Sequence, residues 1–414
     1  MRSNRRRIFQ CIRHAYDLFC GCACARADNG EESLKALVTD ASYLHTLGIV
    51  RCLGKRGIDV YALGEHGTDL SFHSRYCREG IIGPSPKEDK YVGFLVQTLK
   101  SRKIDTLIPV GYWSTETIAR NRTRLDPLTH IELAKYESIR LAASKKRTYE
   151  MAERLGIPHP TTIYPRTFVE VREISRNLEY PVVIKPLDEG YSSVLYPRNP
   201  RELSEKYHEM CKRNRIPENS LPMIQEYIIA DSTFSFSALY QDGVCKRIFM
   251  WKETRSYPIT GGSSTFSESI YDSELKEYGL KLLDELNWHG VAHVEFKLDG
   301  KDNKLKLMEI NPKFWASLDV ALQAGVDFPF LVCEIANGVR LKYSEQYDRC
   351  MRFHWPLSQE LKHIMQRPSS IPKVLADTFN PKVKSNIQLD DLAPHLLEFV
   401  TTLTVLITRT RLLH

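Results

Sequence analysis

The chain has 414 residues, of which 42% are hydrophobic and 26% charged, so it is long enough for two or three packed domains and is not expected to be largely disordered. Lys and Arg exceed Asp and Glu by seven, 58 against 51, and the first 30 residues hold four of these excess charges. The rest of the sequence shows no basic stripe suited to a phosphate backbone. Nucleic acid is therefore not expected as a partner.

The ten cysteines indicate reduced thiols rather than a disulfide framework, because six of them are scattered through a long chain. We therefore expect a cytoplasmic protein. The other four lie within residues 1–24, without the His partners and Cys-x-x-Cys pairs typical of zinc sites. We interpret residues 1–30 as an N-terminal extension, and their Arg-rich, acid-poor composition leaves an organelle transit peptide open as an alternative. No run of about 18 apolar residues is present, so no membrane span is expected.

Short β-rich runs at 35–39 and 59–63 enclose a segment, 43–53, in which apolar residues recur three and four positions apart. This pattern predicts a strand, a helix and a second strand. A helix at 90–101 followed by a strand at 106–110 repeats the unit. We therefore predict a small doubly wound domain, which we place at residues 31 to 130. No Gly-x-Gly-x-x-Gly follows its first strand, so a dinucleotide is not expected.

A second domain is predicted to begin near Ala134, with a first helix over 144–155 that Gly156 ends. Strands outnumber helices in this part, which favours α+β architecture with antiparallel sheets over residues 134–340. The predicted strands are 181–185, 223–228, 234–240, 245–251, 291–298 and 305–310, and the predicted helices are 200–213, 274–286 and 328–337. Residues 341–414 have a mixed pattern and form a C-terminal region to which we assign no role.

Two glutamates occupy neighbouring runs of alternating polarity, 291–298 and 305–310, whose separation predicts a β-hairpin. With the turn centred between the runs, Glu295 lies directly opposite Glu309, and Asn311 follows on the same face. Like charges in this position destabilise a sheet, so water or a cation must separate them. Two carboxylates and an amide oxygen suit Mg²⁺. An exposed hairpin with loose glutamates is the alternative.

Two lysines point to an anionic ligand. Lys185 ends an apolar run that is expected to be buried, where an ammonium group requires an anion. Lys145 opens a predicted helix, where a cation opposes the helix dipole unless a phosphate lies nearby. The Gly- and Ser-containing loop at 188–193 is able to close over phosphates with its backbone N–H groups. A solvated basic turn and a plain surface loop are the competing interpretations.

Five short motifs follow one another in a recognisable order. They are Lys145, Val-Ile-Lys-Pro at 183–186, Ile-Gln-Glu-Tyr-Ile at 224–228, Val-Glu-Phe at 294–296 and Met-Glu-Ile-Asn-Pro at 308–312. In this order and spacing they resemble the ATP-grasp superfamily, as in carbamoyl-phosphate synthetase, biotin carboxylase and D-alanine:D-alanine ligase. The resemblance implies a pre-ATP-grasp domain, similar to the doubly wound region, followed by an ATP-grasp core with antiparallel sheets.

The resemblance also implies an ATP site and assigns its contacts. Lys145 and Lys185 would neutralise the phosphates under a flexible lid at 190–193, to which Ser192 and Ser193 belong. The contacts to adenine and ribose would come from Glu226, Tyr227, Ile228, Asp231 and Met308.

The metal site implied by the resemblance consists of Glu295, Glu309 and Asn311. These residues would hold one or two Mg²⁺, with Mn²⁺ as an alternative ion, between the β- and γ-phosphates. Such ions and lysines do the main electrostatic work of phosphoryl transfer, so Lys185 is also predicted to be catalytic.

One departure from the family pattern concerns residues 311–313, where Asn-Pro-Lys stands in place of the frequent Asn-Pro-Arg. A point charge therefore replaces a bidentate fork. For the substrate carboxylate we predict Arg255 as a second catalytic residue, because it precedes the flexible stretch 258–265. Lys252 and Arg247 are the alternatives, and a surface arginine with no such role is equally compatible with the sequence.

We therefore predict an ATP- and Mg-dependent ligase that activates a small carboxylate as an acyl phosphate for attack by an amine or similar nucleophile. Such a reaction forms a carbon–nitrogen bond and releases ADP. Two alternatives stay open, namely activation of bicarbonate as in carbamoyl-phosphate synthetase and a non-catalytic nucleotide-binding protein. The sequence predicts neither the identity of the two substrates nor the oligomeric state.

Overall fold

The structure is a computed structural model that describes residues 33–187, 194–217, 220–259 and 261–411. The predictions made for residues 1–30, and those for the lid with Ser192 and Ser193, lie outside the described residues.

The first part of the described chain forms a four-stranded parallel sheet. Its strands are β1 (Lys35–Val38), β2 (Asp59–Gly64), β3 (Cys77–Ile82) and β4 (Thr106–Ile108), and its helices are α1 (Leu44–Gly54), α2 (Tyr91–Arg102), α3 (Tyr112–Arg120) and α4 (Arg122–Leu125). The strand order is β3–β2–β1–β4. The predicted strands and helices are confirmed. Strand β3 was not predicted, because its residues alternate between half-exposed and exposed positions and carry no apolar run.

A small antiparallel sheet of three strands follows. Its strands are β5 (Thr162–Ile163), β6 (Val182–Lys185) and β7 (Met223–Glu226), and the helices around it are α5 (Tyr136–Ala143), α6 (Lys145–Arg154), α7 (Phe168–Ile174) and α8 (Pro200–Asn214). Strand β7 lies in the middle, between β5 and β6. Helix α8 begins where the Asn199 side chain accepts a hydrogen bond from the Glu202 N–H and Pro200 occupies the first turn.

The largest sheet has seven strands. They are β8 (Thr233–Gln241), β9 (Val244–Tyr257), β10 (Ser263–Ser269), β11 (Gly290–Leu298), β12 (Leu305–Asn311), β13 (Arg352–His354) and β14 (Val383–Ser385). Their order is β12–β11–β8–β9–β10–β13–β14, antiparallel except for the last pair. The remaining helices are α9 (Ser273–Glu285), α10 (Leu318–Gln323), α11 (Phe328–Ala336), α12 (Leu361–Gln366), α13 (Ile371–Thr378) and α14 (Ala393–Arg411). The predicted antiparallel α+β architecture is confirmed.

The hairpin of β11 and β12 has the predicted register at its two glutamates. Glu295 lies directly opposite Glu309. One step further along, Phe296 faces Leu307 rather than Met308, so Met308 is the extra residue of a β-bulge. The two carboxylates therefore lie on one face of the sheet, at a point where the strand is locally bent.

The C-terminal residues complete the large sheet and pack against the first part of the chain. Phe353 of β13 and Trp355, which directly follows this strand, are buried in the same apolar cluster as residues of α1 and β1. Arg51 of α1 is buried and donates to the Asp391 carboxylate at 2.7 Å. This region thus contributes structure to the N-terminal sheet, a role that the sequence did not predict.

Arg255 requires a correction, because its guanidinium is already occupied. It donates to Glu360 at 3.1 Å and to Asp377 at 2.7 Å, and all three side chains are buried. Both carboxylates come from the C-terminal region. Arg255 therefore ties β9 to that region and is not available to a substrate carboxylate, so its predicted catalytic role is not carried forward.

Residues from Leu34 onward form one compact unit, and the domain boundaries predicted within it stay predictions. Among the helices that the structure describes, none combines the length and the apolar character needed to cross a membrane.

The Asp391 carboxylate anchors the C-terminal region to α1 and to the segment before β3. It also accepts from the Ser74 hydroxyl at 2.7 Å and the Arg75 N–H at 2.9 Å. We expect Asp391→Asn to lower the free energy of unfolding by about 3 kcal/mol, because it leaves the buried Arg51 without a counter-charge. Asp390→Asn is the matched control, since that side chain is 45% exposed, and it should cost less than about 1 kcal/mol. Equal losses in urea unfolding would contradict the anchor.

Asp319 of α10 should make stability depend on pH. Burial raises its pKa to about 6, against the opposing effects of the Trp355 N–H and Arg51 and with a further increase from Glu398. The folded chain then keeps a proton up to pH 6 that the unfolded chain releases near a pKa of about 3.9. The stabilisation by the protonated Asp319 carboxyl group is therefore fully present below the unfolded-state pKa of about 3.9 and is lost as the pH rises through 6. Asp319→Asn cannot ionise. We therefore expect the difference in the free energy of unfolding between this variant and wild type to shift in favour of the variant by up to about 3 kcal/mol between pH 4 and pH 7.5.

Denaturant unfolding of both proteins at the two pH values measures this difference. The Asn oxygen can still accept the hydrogen bond that Trp355 Nε1 donates to Asp319 at 3.2 Å, so the substitution isolates the charge. A stability difference that is the same at both pH values would show that the native carboxyl group ionises normally.

Candidate active site

A cavity of about 590 Å³ lies where the three sheets meet, and it brings together most of the predicted site. Six of the sequence-predicted residues line it, from four different elements: Lys145, Lys185, Glu295, Met308, Glu309 and Asn311. These residues are up to 166 positions apart in sequence, so the fold, rather than any local motif, assembles the site.

The paired carboxylates are held in different electrostatic states. Burial, together with Glu309 and Glu253, raises the pKa of Glu295 to about 8. Burial also pushes the pKa of Glu309 upward, but Lys145, Lys313 and the Asn311 amide outweigh it, and the pKa falls to about 2. The facing glutamates therefore share one negative charge near neutral pH, as expected for like charges that cannot separate.

Three lysines surround this pair. Lys145 Nζ lies 3.2 Å from a Glu309 oxygen, and Lys313 Nζ donates to the Asn311 side-chain oxygen at 2.7 Å. Lys185 Nζ donates to the Gln225 side-chain oxygen at 3.0 Å. Burial and the charge of Lys145 lower the pKa of Lys185 to about 8. The cavity thus concentrates several ammonium groups, which suits a ligand with several negative charges.

Hydrogen bonds to main-chain carbonyls join helix α6 to strand β12 and to the segment that follows β6. The Lys145 N–H donates to the Leu187 carbonyl at 2.8 Å, which joins the start of α6 to that segment. The buried Tyr149 hydroxyl donates to the Met308 carbonyl at 2.7 Å, at the bulge of β12. These contacts help to position Lys145 relative to the neighbouring Lys185 and Glu309.

His293 supports the metal-site candidates without carrying a charge. Burial lowers its pKa to about 3, and it lies stacked on Trp251. Its ring nitrogens lie 3.1 Å from the Ser235 hydroxyl and 3.4 Å from the Asn311 amide nitrogen. The same amide nitrogen donates to Glu309 at 2.9 Å. His293 therefore helps orient Asn311.

The predicted nucleotide linker lies beside this cavity. Glu226 accepts hydrogen bonds from Lys306 Nζ and the Thr161 N–H, and the Ile228 side chain is buried. The Tyr227 ring packs edge-on against Tyr196, which lines the cavity. Asp231 is exposed. Among the described residues that line the 590 Å³ cavity, none belongs to this linker, so its contacts to adenine and ribose stay predictions.

Two charged lining residues were missed by the sequence analysis. Lys297 lies two positions after Glu295 on the same strand, so the alternation of β11 was a usable signal for it. Glu253 of β9 accepts from Trp251 Nε1 and the Ser317 hydroxyl, and burial raises its pKa to about 7. No local pattern distinguishes Glu253 from a surface glutamate.

The first sheet closes one side of the cavity at the point where its strand order reverses, between β1 and β4. Such a crevice at the carboxyl ends of parallel strands is a common ligand site. Asp40, at a positive φ of 58°, accepts from the Gly111 N–H at 2.8 Å and thereby joins the loops after the two strands. Residues 110 and 111 of the second loop and residues 112 and 113 at the start of α3 line the cavity.

The donor set fits a hard divalent cation. Two carboxylates face each other, and burial together with the charge of Glu309 makes Glu295 retain a proton near neutral pH. A divalent ion with oxygen ligands would remove this repulsion, and the Asn311 side-chain oxygen, now bound by Lys313, is a third donor.

Comparisons with known proteins identify the fold. No protein-family model matches the chain. It is 27% identical over 182 residues to the D-alanine–D-alanine ligase of Fusobacterium nucleatum, an alignment that covers 41% of this chain and 56% of that protein. The chain therefore spans about half the length of this curated relative.

Two solved structures cover more of the chain. The biotin carboxylase domain of Hydrogenobacter thermophilus 2-oxoglutarate carboxylase, in complex with MgADP, ADP and bicarbonate, has a TM-score of 0.62 and 18% identity and covers 78% of this chain and 73% of its own. Staphylococcus aureus N5-carboxyaminoimidazole synthetase in complex with ADP has a TM-score of 0.62 and 15% identity and covers 83% of this chain and 87% of its own. The chain therefore has the ATP-grasp fold, as its five sequence motifs predicted.

Proposed function

We propose that the chain is an ATP-dependent ligase that joins a small carboxylate to an amine through an acyl phosphate. The observation that carries the proposal is the meeting of two facing glutamates with Lys145 and Lys185 in one cavity. An array of this kind is suited to a triphosphate and its metal ion, and it has no evident structural purpose, since paired like charges weaken a sheet.

Lys145 and Lys185 would bind the phosphate oxygens and stabilise the charge that develops on the γ-phosphoryl group. Glu295, Glu309 and Asn311 would hold Mg²⁺, which would supply charge neutralisation between the β- and γ-phosphates. The linker from Glu226 to Ile228 and the exposed Asp231 are the proposed contacts for adenine and ribose.

The proposed reaction has two steps. A carboxylate oxygen of the first substrate attacks the γ-phosphorus, the bond to the bridging oxygen breaks, and ADP leaves with the electron pair. The amine nitrogen then attacks the acyl carbon, inorganic phosphate leaves, and the nitrogen gives up one proton. Exclusion of water from the cavity would protect the acyl phosphate until the amine arrives.

Activation of bicarbonate is a second candidate, and the likeness to a biotin carboxylase domain whose structure holds bicarbonate favours it. The two candidates differ in the first substrate alone. Assays in degassed, bicarbonate-free buffer separate them, because only the bicarbonate reaction loses ADP release under those conditions.

We expect Lys185→Met and Glu309→Gln to lower substrate-stimulated ADP release by on the order of 10²-fold or more, because the first removes a positive charge that stabilises the transferring phosphoryl group and the second removes a ligand of the metal ion. The measurement is ADP release by the full chain with Mg-ATP and a panel of the twenty L-amino acids, simple carboxylates and bicarbonate.

The matched controls are Lys281→Met and Glu277→Gln, an exposed ion pair on α9 in which the two side chains are 46% and 58% exposed. Both should retain wild-type rates. Folded Lys185 and Glu309 variants that turn over like the controls would reject the enzyme assignment. Nucleotide binding by the wild type without stimulated turnover would instead favour a non-catalytic nucleotide-binding protein.

A further inference from the structure

A second cavity, of about 480 Å³, adjoins the active-site cavity. The two share a wall formed by Tyr43, His45, Ser263, Ser264 and Ala316. Its outer wall comes from the C-terminal region, namely the turn at Pro356–Glu360 and helix α14. The volume is that of a small organic ligand rather than of a bare ion.

Glu398 of α14 lines this cavity and is only 5% exposed. One of its carboxylate oxygens lies 3.4 Å from His395 Nδ1. The other oxygen, Oε1, has no hydrogen-bond partner among the residues that the structure describes. A buried carboxylate with an unmet acceptor is unfavourable unless a donor reaches it.

His395 does not neutralise Glu398. Its Nε2 atom faces two groups that can only donate, the Arg51 guanidinium at 3.0 Å and the Gln388 N–H at 3.3 Å. Nε2 must therefore accept, which leaves the ring neutral with its proton on Nδ1. Glu398 consequently receives a hydrogen bond but no positive charge from His395.

The surrounding cluster is short of positive charge. Arg51 is already paired with Asp391, and Asp319 is a further carboxyl group close to Arg51 and Glu398. The cavity wall itself carries two carboxylates, Glu398 and Asp69, of which Asp69 accepts two backbone N–H groups, against one lysine, Lys362. The electrostatic demand at this wall is for a cation.

A second polar group in the same wall is also unsatisfied. Ser358 is 4% exposed, and its hydroxyl has no partner among the described residues. It lines the cavity with Glu398, Thr401 and Thr402. An ammonium group has three donors and no acceptor, so it matches a carboxylate accompanied by hydroxyl oxygens.

We propose that this second cavity binds an ammonium group of the amine substrate, with Glu398 as its counter-ion and Ser358 as an additional acceptor. This inference rests on the proposed function, because it assigns a place to the amine of that reaction. It concerns recognition of the protonated amine and assigns no chemical step to Glu398. The nitrogen gives up one proton to solvent water before it attacks the acyl carbon as the neutral amine.

Kinetics of the full chain test the proposal. ADP release at saturating Mg-ATP is measured with each of the twenty L-amino acids and with putrescine, and the amine that stimulates best is then titrated. We expect Glu398→Gln to raise the KM for that amine by about tenfold or more, because a charge-assisted hydrogen bond is lost, and to leave the KM for ATP within about twofold. Ser358→Ala should raise the amine KM to a smaller extent.

Glu398→Asp keeps the charge and should give an intermediate KM, and it also serves if Glu398→Gln does not fold. Glu173→Gln, which removes an exposed carboxylate on α7, is the matched control and should behave as wild type. An amine KM that is unchanged in the folded Glu398 variants would overturn the ammonium site while leaving the ligase proposal intact.

Absence of amine-stimulated turnover by the wild type would count against the ligase assignment. In that case calorimetry tests the ammonium site separately. The same amines are titrated into wild type and Glu398→Gln in the presence of Mg²⁺ and a non-hydrolysable ATP analogue. Binding by wild type that the variant loses would support the ammonium site. Absence of binding, or equal binding by both proteins, would overturn it.

Discussion

The repulsion between Glu295 and Glu309 is the constraint around which the site is built. Carboxylates directly opposite each other on antiparallel strands have Cβ atoms about 4.5–5.5 Å apart, and such like-charge pairs weaken a sheet. The chain places Lys145 against one of them and lets the other keep a proton near neutral pH. A sheet selected for stability alone would avoid this arrangement, so the pair is best explained by a cation that binds between the strands.

The geometry around the pair depends on contacts that are distant in sequence. The Met308 bulge sits where the Tyr149 hydroxyl holds the β12 main chain, and the start of α6 is held to the segment that follows β6. The first sheet adds the loops after β1 and β4, and the C-terminal region closes the neighbouring cavity. The Arg51–Asp391 ion pair joins α1 to the C-terminal region. The C-terminal residues therefore belong to the architecture of the site.

Much of the fold and part of the site follow from local patterns. The alternation of β11 and β12 and the length of their connection were sufficient to place Glu295 opposite Glu309. The same alternation was a usable signal for Lys297, which was nevertheless missed. Arg255 was misassigned because its partners, Glu360 and Asp377, lie 105 and 122 residues away and no local pattern reveals an ion pair of that separation. Glu398 was not predicted either, because its burial and its carboxylate oxygen without a hydrogen-bond partner among the described residues arise only in the folded chain.

The two adjoining cavities differ in charge, and this difference bears on how substrates would be arranged. Four lysines and three glutamates line the active-site cavity, and Glu253 and Glu295 have pKa values raised to about 7 and about 8, so its wall is positive near neutral pH. The second cavity has Asp69 and Glu398 against one lysine. An anionic nucleotide and a cationic amine would therefore be drawn to different cavities. Under the two proposals, the activated carboxylate and the amine would meet at the shared wall, and the specificity of the reaction would depend on the segments around Tyr43 and Ser263 that separate the two charges.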